Sequence, residues 1–106
     1  MTFMELLDKN IKREEEKLRE YERELASLTE GKLVRRMRNG SPEYYMSCRG
    51  TERYIRKKEY WLVNELKRRK VLEKACQLSK SNIAAQRTLL NSYEEVDLDR
   101  IRQELP

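Results

Sequence analysis

One seam constrains this chain more than any other feature. Met4, Leu7, Ile11, Glu14, Leu18, Tyr21, Leu25 and Leu28 recur at alternating spacings of three and four. At 3.6 residues per turn these positions fall on one narrow line along a helix, and all but Glu14 are apolar or aromatic. The intervening positions are mostly Glu, Lys and Arg. Glu5–Lys9, Asp8–Lys12 and Glu15–Arg19 place the acid four residues before the base, which is the favourable order. Thr2 followed by Glu5 reads as a capping box, and Gly31 reads as a C-terminal stop. The spacing therefore predicts a coiled-coil-like helix over residues 3–30. Its seam can pack on another helix of the same chain or on a separate copy.

A second long helix is predicted over 58–93, starting near Lys57 or Lys58, because this stretch contains no Gly or Pro. Leu72, Cys76, Ser79, Ile83, Gln86, Leu90 and Tyr93 form one seam, and Val71, Ala75, Leu78, Asn82, Ala85 and Leu89 form another stripe. Trp61, Leu62, Val63 and Leu66 are available to cover a sheet. At 1.5 Å per residue the two helices span roughly 40 and 50 Å, which suits an antiparallel pair. Two stripes exceed what one partner helix buries, so a homodimer is expected. After Tyr93, the acids Glu94, Glu95, Asp97 and Asp99 break the pattern, and 94–106 reads as an acidic tail or short helix.

The residues between the helices have a different character. Asn39-Gly40 is a strong hairpin signal between Lys32–Arg38 and Glu43–Cys48, with Pro42 tolerated at the start of an edge strand. Arg49-Gly50 marks a second turn before Arg53-Tyr54-Ile55. Residues 32–56 are thus expected to form a three-stranded antiparallel meander that leans on a helix. The fold class is α+β: a single domain with two long antiparallel helices and a small sheet between them in sequence.

Charge separates these segments. Residues 3–30 hold 6 basic and 9 acidic residues, net −3; 31–74 hold 14 and 5, net +9; 75–106 hold 4 and 5, net −1. A positive field confined to the middle attracts polyanions even when the ends repel them. Lys32, Arg35, Arg36, Arg38, Arg49, Arg53, Arg56, Lys57 and Lys58, interleaved with Tyr44, Tyr45 and Tyr54, are the candidate binding residues. Lys67, Arg68, Arg69, Lys70 and Lys74 extend the basic stretch, with Tyr60 and Trp61 among them. Guanidiniums contact phosphates, a β-ribbon fits the major groove, and aromatic rings stack on unpaired bases. The bland alternative places the arginines on a solvated face and the tyrosines under the second helix.

Other functions are excluded or disfavoured. The chain lacks histidine, which removes Ser-His and Cys-His nucleophiles and the commonest metal ligand. Cys48 and Cys76 are too few for a structural zinc site, and neither phosphate-cradling glycine motif is present. No catalytic residue, metal or cofactor is expected. Charged residues make up 41% of the chain, and no stretch approaches the roughly 20 apolar residues of a membrane span. MTFMELLDKN lacks the apolar core of a signal peptide, so free thiols in a reducing cytoplasm are expected.

Gly31-Lys32-Leu33, Asn39-Gly40, Glu43-Tyr44-Tyr45, Arg53–Glu59, Leu62-Val63 and Arg69–Leu72 carry a resemblance. Over about residues 25–93 the chain resembles the N-terminal region of Firmicutes and phage-associated proteins of unknown function, where this pattern precedes a restriction-endonuclease-like domain. No such domain falls in this sequence, so the resemblance implies a binding module and carries over no catalytic residue. The strand-strand-strand-helix order also looks like the arm-binding domains of phage integrases. Three functions are open at this point. The first is non-enzymatic binding of nucleic acid or nucleoprotein by a protein of a phage or mobile element. The second is anti-CRISPR-like inhibition of a host defence nuclease. The third is a structural coiled-coil adaptor.

Overall fold

A computed structural model describes all 106 residues, Met1–Pro106. The elements follow in the order α1 (Phe3–Ser27), β1 (Lys32–Arg38), β2 (Ser41–Cys48), β3 (Thr51–Tyr54), a 3₁₀ turn at Lys57–Glu59, α2 (Tyr60–Ser92) and α3 (Leu98–Glu104). The fold is α+β and elongated, 78 × 24 × 24 Å. No helix is long and apolar enough to cross a membrane.

α1 starts where Thr2 Oγ1 accepts the Glu5 backbone N–H at 3.1 Å. It ends at Ser27, with Leu28 already extended, three residues before the glycine expected to stop it. The end is fixed from outside the helix. Arg69 Nη1 lies 3.4 Å from the carbonyls of both Leu25 and Leu28, and Thr29 donates through its N–H and hydroxyl to Glu65 Oε1 at 2.8 and 3.1 Å. A guanidinium thus reaches the terminal carbonyls of the helix, sharing that of Leu25 with the Leu28 backbone N–H. Gly31 instead immediately precedes β1, at φ +136°, where a Cβ would sit 3.2 Å from Met46 Cγ and the Ser47 carbonyl.

α1 and α2 pack antiparallel. Leu7, Ile11 and Ile83 are buried together, with Leu18 and Leu90 against them. Phe3 stacks on Tyr93 at 4.9 Å between ring centroids, closing the far end. Polar side chains bridge the two helices: Gln86 Nε2 donates to Glu14 at 2.7 Å, Asn82 donates to Glu14 at 3.2 Å, and Asn10 donates to Gln86 Oε1 at 2.6 Å, whereas the buried Ser79 hydroxyl has no partner. Leu72, Cys76 and Ser79 continue the buried line on α2. Both cysteines are free, and burial raises the Cys76 thiol pKa above its ordinary value.

The sheet has strand order β1-β2-β3, all antiparallel. Asn39 and Gly40 both have positive φ, 52° and 79°, as a two-residue turn with the twist of the flanking strands requires; Arg49-Gly50 repeats the pattern. The register pairs Leu33 with Met46, Arg35 with Tyr44, Val34 with Tyr45, and Tyr45 with Tyr54. One sheet face lies on the first half of α2. There Ile55, Leu62, Val63 and Leu66 are buried beneath Leu33, Tyr44 and Met46. Trp61, expected to help cover the sheet, is 60% exposed instead. α2 begins at Tyr60, because Lys57–Glu59 form a 3₁₀ turn in which the Glu59 side chain accepts the Arg56 backbone N–H.

Candidate nucleic-acid interface

Strand alternation divides the basic stretch between two faces, since cross-strand partners point the same way. Lys32, Arg36, Arg38, Tyr45 and Tyr54 share the face turned away from α2. Arg35, Tyr44 and Arg53 share the face toward it, with Leu33 and Met46. Arg49 sits in the second turn. Arg56 precedes α2, and Lys57 and Lys58 lie in its leading turn.

Across the outer face Val34, Tyr45 and Tyr54 lie side by side on three strands. The Tyr45 and Tyr54 rings meet edge-to-face at 5.5 Å, and the Arg36 guanidinium lies 4.8 Å from the Tyr45 ring centroid. Such an Arg–Tyr–Tyr row offers a cation and aromatic surface to a flat ligand. Tyr54, nearly half exposed, stands at the open edge of the sheet. Beside it Arg53, Tyr54, Arg56, Lys58 and Glu59 surround an open basin of about 610 Å³.

Carboxylates take up part of the charge. Arg36 pairs with Glu52, Arg38 Nε lies 3.7 Å from Glu43, Arg49 is 3.0 Å from Glu30, and Arg53 is 3.1 Å from Glu59. Of the nine candidate cations, these four hold a carboxylate. Lys32, Arg35, Arg56, Lys57 and Lys58 hold none. The titration of the site follows its contacts. The Glu59 carboxyl sits below its ordinary value, first because it accepts the Arg56 backbone N–H and then because Arg53 lies beside it. The Tyr45 hydroxyl is pushed up chiefly by donating to Glu43 at 3.0 Å, and Glu52 raises the Arg36 guanidinium.

Tyr44 serves the fold rather than the outer face. It meets Tyr60 edge-to-face at 6.0 Å, and Lys67 Nζ lies 5.8 Å from its ring centroid. Further along α2 the basic stretch is partly structural. Arg68 holds Glu24 through two hydrogen bonds, 2.6 and 2.9 Å, which keeps the Glu24 carboxyl below its ordinary value, while Arg69 holds the end of α1. Arg87 pairs with Glu15 at 2.5 Å and Lys80 with Glu22 at 3.7 Å, so part of the acid of α1 is spent on α2.

The residues overlooked in the sequence are the acids that hold the arginines: Glu30, Glu43, Glu52 and Glu59. A signal for one of them existed. A two-residue turn at Asn39-Gly40 fixes the register, and that register sets Arg36 opposite Glu43. No group of three or more Cys, Asp or Glu side chains converges in a way that would hold a metal ion. The chain matches no protein-family model, no curated protein and no solved structure.

Proposed function

We propose that this chain is a non-enzymatic nucleic-acid-binding protein that grips phosphates with the cations around the open edge of its sheet and stacks bases on Tyr54. The observation that carries the reading is the juxtaposition of Tyr54 and its Arg36–Tyr45 neighbours with Arg56 and Lys58 around one basin; neither these two nor Lys57 between them has a carboxylate partner. An exposed ring favours a base over bulk water, and unpaired cations release counterions from a phosphate backbone. The paired arginines remain usable, because exposed ion pairs contribute little and a phosphate can replace a carboxylate. Two free thiols suit a reducing, cytoplasmic compartment.

The test is fluorescence anisotropy with labelled single-stranded DNA, duplex DNA and structured RNA at two salt concentrations. If Arg56, Lys57 and Lys58 each meet a phosphate, the log–log salt slope is about −2 on a single strand and about −2.7 on duplex DNA. Changing Arg56, Lys57 and Lys58 together to Glu abolishes binding to every ligand. Tyr54→Ala weakens binding to single strands by about 10-fold or more and leaves duplex affinity nearly unchanged. A folded triple variant with full affinity ends this reading.

A second reading has one observation in its favour. Arg36 and Arg38 are held by Glu52 and Glu43, so the outer face mixes both charges with exposed tyrosine, a composition common at protein interfaces. The partner is then a protein that handles nucleic acid, such as a defence nuclease whose channel this face would block. Copurification with such an enzyme and loss of its cleavage, without affinity for bare nucleic acid, distinguishes the two.

A further inference from the structure

One flank of α2, bordering the groove along α1, carries apolar side chains that the chain leaves largely uncovered. Val71, Leu78 and Leu89 are 58%, 51% and 41% exposed, and half-buried Ala75, Asn82, which donates to Glu14 across the groove, and Ala85 complete their line. The spacings along it are four, three, four, three and four, which read the same in both directions. Turning the helix over about a two-fold axis at the level of Lys80 therefore superposes the line on itself. Val71 then meets the partner's Leu89, Ala75 meets the partner's Ala85, and Leu78 meets the partner's Asn82. The alanine layers let the two backbones approach closely, and the larger residues close the ends.

We propose that this face is the interface of an antiparallel homodimer of the chain. Charge selects the orientation. Lys67, Lys70 and Lys74 flank the first half of the stripe, and none has a carboxylate partner. Glu94 and Glu95 follow its far end, and neither has a cation. A parallel pair sets lysines against lysines, whereas an antiparallel pair brings acids to the lysine end.

The tail supplies further surface. Val71 to Leu89 is about 27 Å at 1.5 Å per residue, so a stripe on a helix about 10 Å wide covers on the order of 300 Å² per chain. A standard interface buries about 800 Å² per partner. Residues 93–97 leave α2 extended, as at Tyr93 (φ −76°, ψ 129°), and reach up to about 17 Å. In the antiparallel register this carries the partner's Glu94 and Glu95 past Lys67 and brings the partner's Leu98 to the level of Tyr60, on the same face and 44% exposed. α3 needs such a surface. It is seven residues long, its ion pairs are internal (Arg100–Glu104 and Arg102–Asp99), and Leu98, Ile101 and Leu105 are exposed. A helix this short is marginal on its own. The interface lies apart from Tyr45 and Tyr54, so it stands whether or not the chain binds nucleic acid.

Sedimentation equilibrium of the full chain tests the dimer. The expected mass is twice 12.9 kDa at micromolar concentration. Leu78→Lys with Ala85→Lys weakens association by at least about 100-fold, since two-fold symmetry inserts each like charge twice. Helical circular dichroism is retained in this variant, because both sites are exposed in the single chain. Orientation is read by disulfide formation in a Cys48→Ser, Cys76→Ala background. Val71→Cys chains mixed with Leu89→Cys chains cross-link to each other, and neither cross-links to itself. A parallel pair gives the reverse, which overturns the proposal. So does a monomer at all concentrations, including a monomer whose α3 amides are protected from exchange, which would seat the tail on its own chain.

Discussion

The two ends of the molecule are held in different ways. At the sheet end, Ile55, Leu62, Val63 and Leu66 are almost fully buried beneath Leu33, Tyr44 and Met46. At the far end, three buried residues, Leu7, Ile11 and Ile83, hold the helix pair beside a polar network of Asn10, Glu14, Asn82 and Gln86. A sheet laid across a helix buries a broad patch, whereas two helices meeting along a heptad line bury a narrow one. The apolar end holds the sheet, and with it the Tyr45–Tyr54 row, in a fixed pose on α2. The polar end fixes register, because hydrogen bonds between seam residues are satisfied in only one alignment.

The contrast can be broken most strongly at Leu66. Leu66→Ala opens a cavity under the sheet and is expected to cost about 4 kcal/mol, read as a fall in the urea midpoint. Exchange protection in β1–β3 is lost before protection in α1. If both are lost together, the two ends are one cooperative unit and the contrast fails. Ile83→Ala removes a similar volume from the thinner seam, where neighbours relax more easily. The expected cost is about 2 kcal/mol, with the sheet amides remaining protected.

Arg69→Ala probes the junction between the ends. It removes a charged donor from the carbonyls of Leu25 and Leu28, for an expected loss of about 1.5–2 kcal/mol and fraying of the last turn of α1 by amide exchange. The smallest effect is expected from pH. The Glu24 and Glu59 carboxyls sit below the 4.5 of a free glutamate, so their contribution is complete above that value and fades as pH falls through the lower folded values. With no histidine, thermal midpoints between pH 6 and 8 stay flat, and the decline begins only below about pH 4.5. A transition near pH 6.5 would contradict this.

The order of elements was legible because each is written locally. Heptad spacing marks the helices, Asn39-Gly40 and Arg49-Gly50 mark the turns, and Thr2 marks the start of α1. The end of α1 was not legible. Gly31 suggested one boundary, and Arg69, more than forty residues later in the chain, sets another. Trp61 was misjudged for a related reason. Its type suits a core, but its angle on α2 relative to Leu62 and Leu66 turns it past the sheet.

The sequence by itself determined two helices, a basic meander and the residue types from which a binding face can be built, because periodicity and turn chemistry act over a few neighbours. Which cations stay free was decided only in the tertiary structure. Arg36 meets Glu52 across the sheet, Arg49 meets Glu30, and Arg68 meets Glu24 across the helix pair, at separations fixed by strand register and antiparallel packing. Coulomb attraction depends on distance in space, and a list of charges along a chain does not contain that distance.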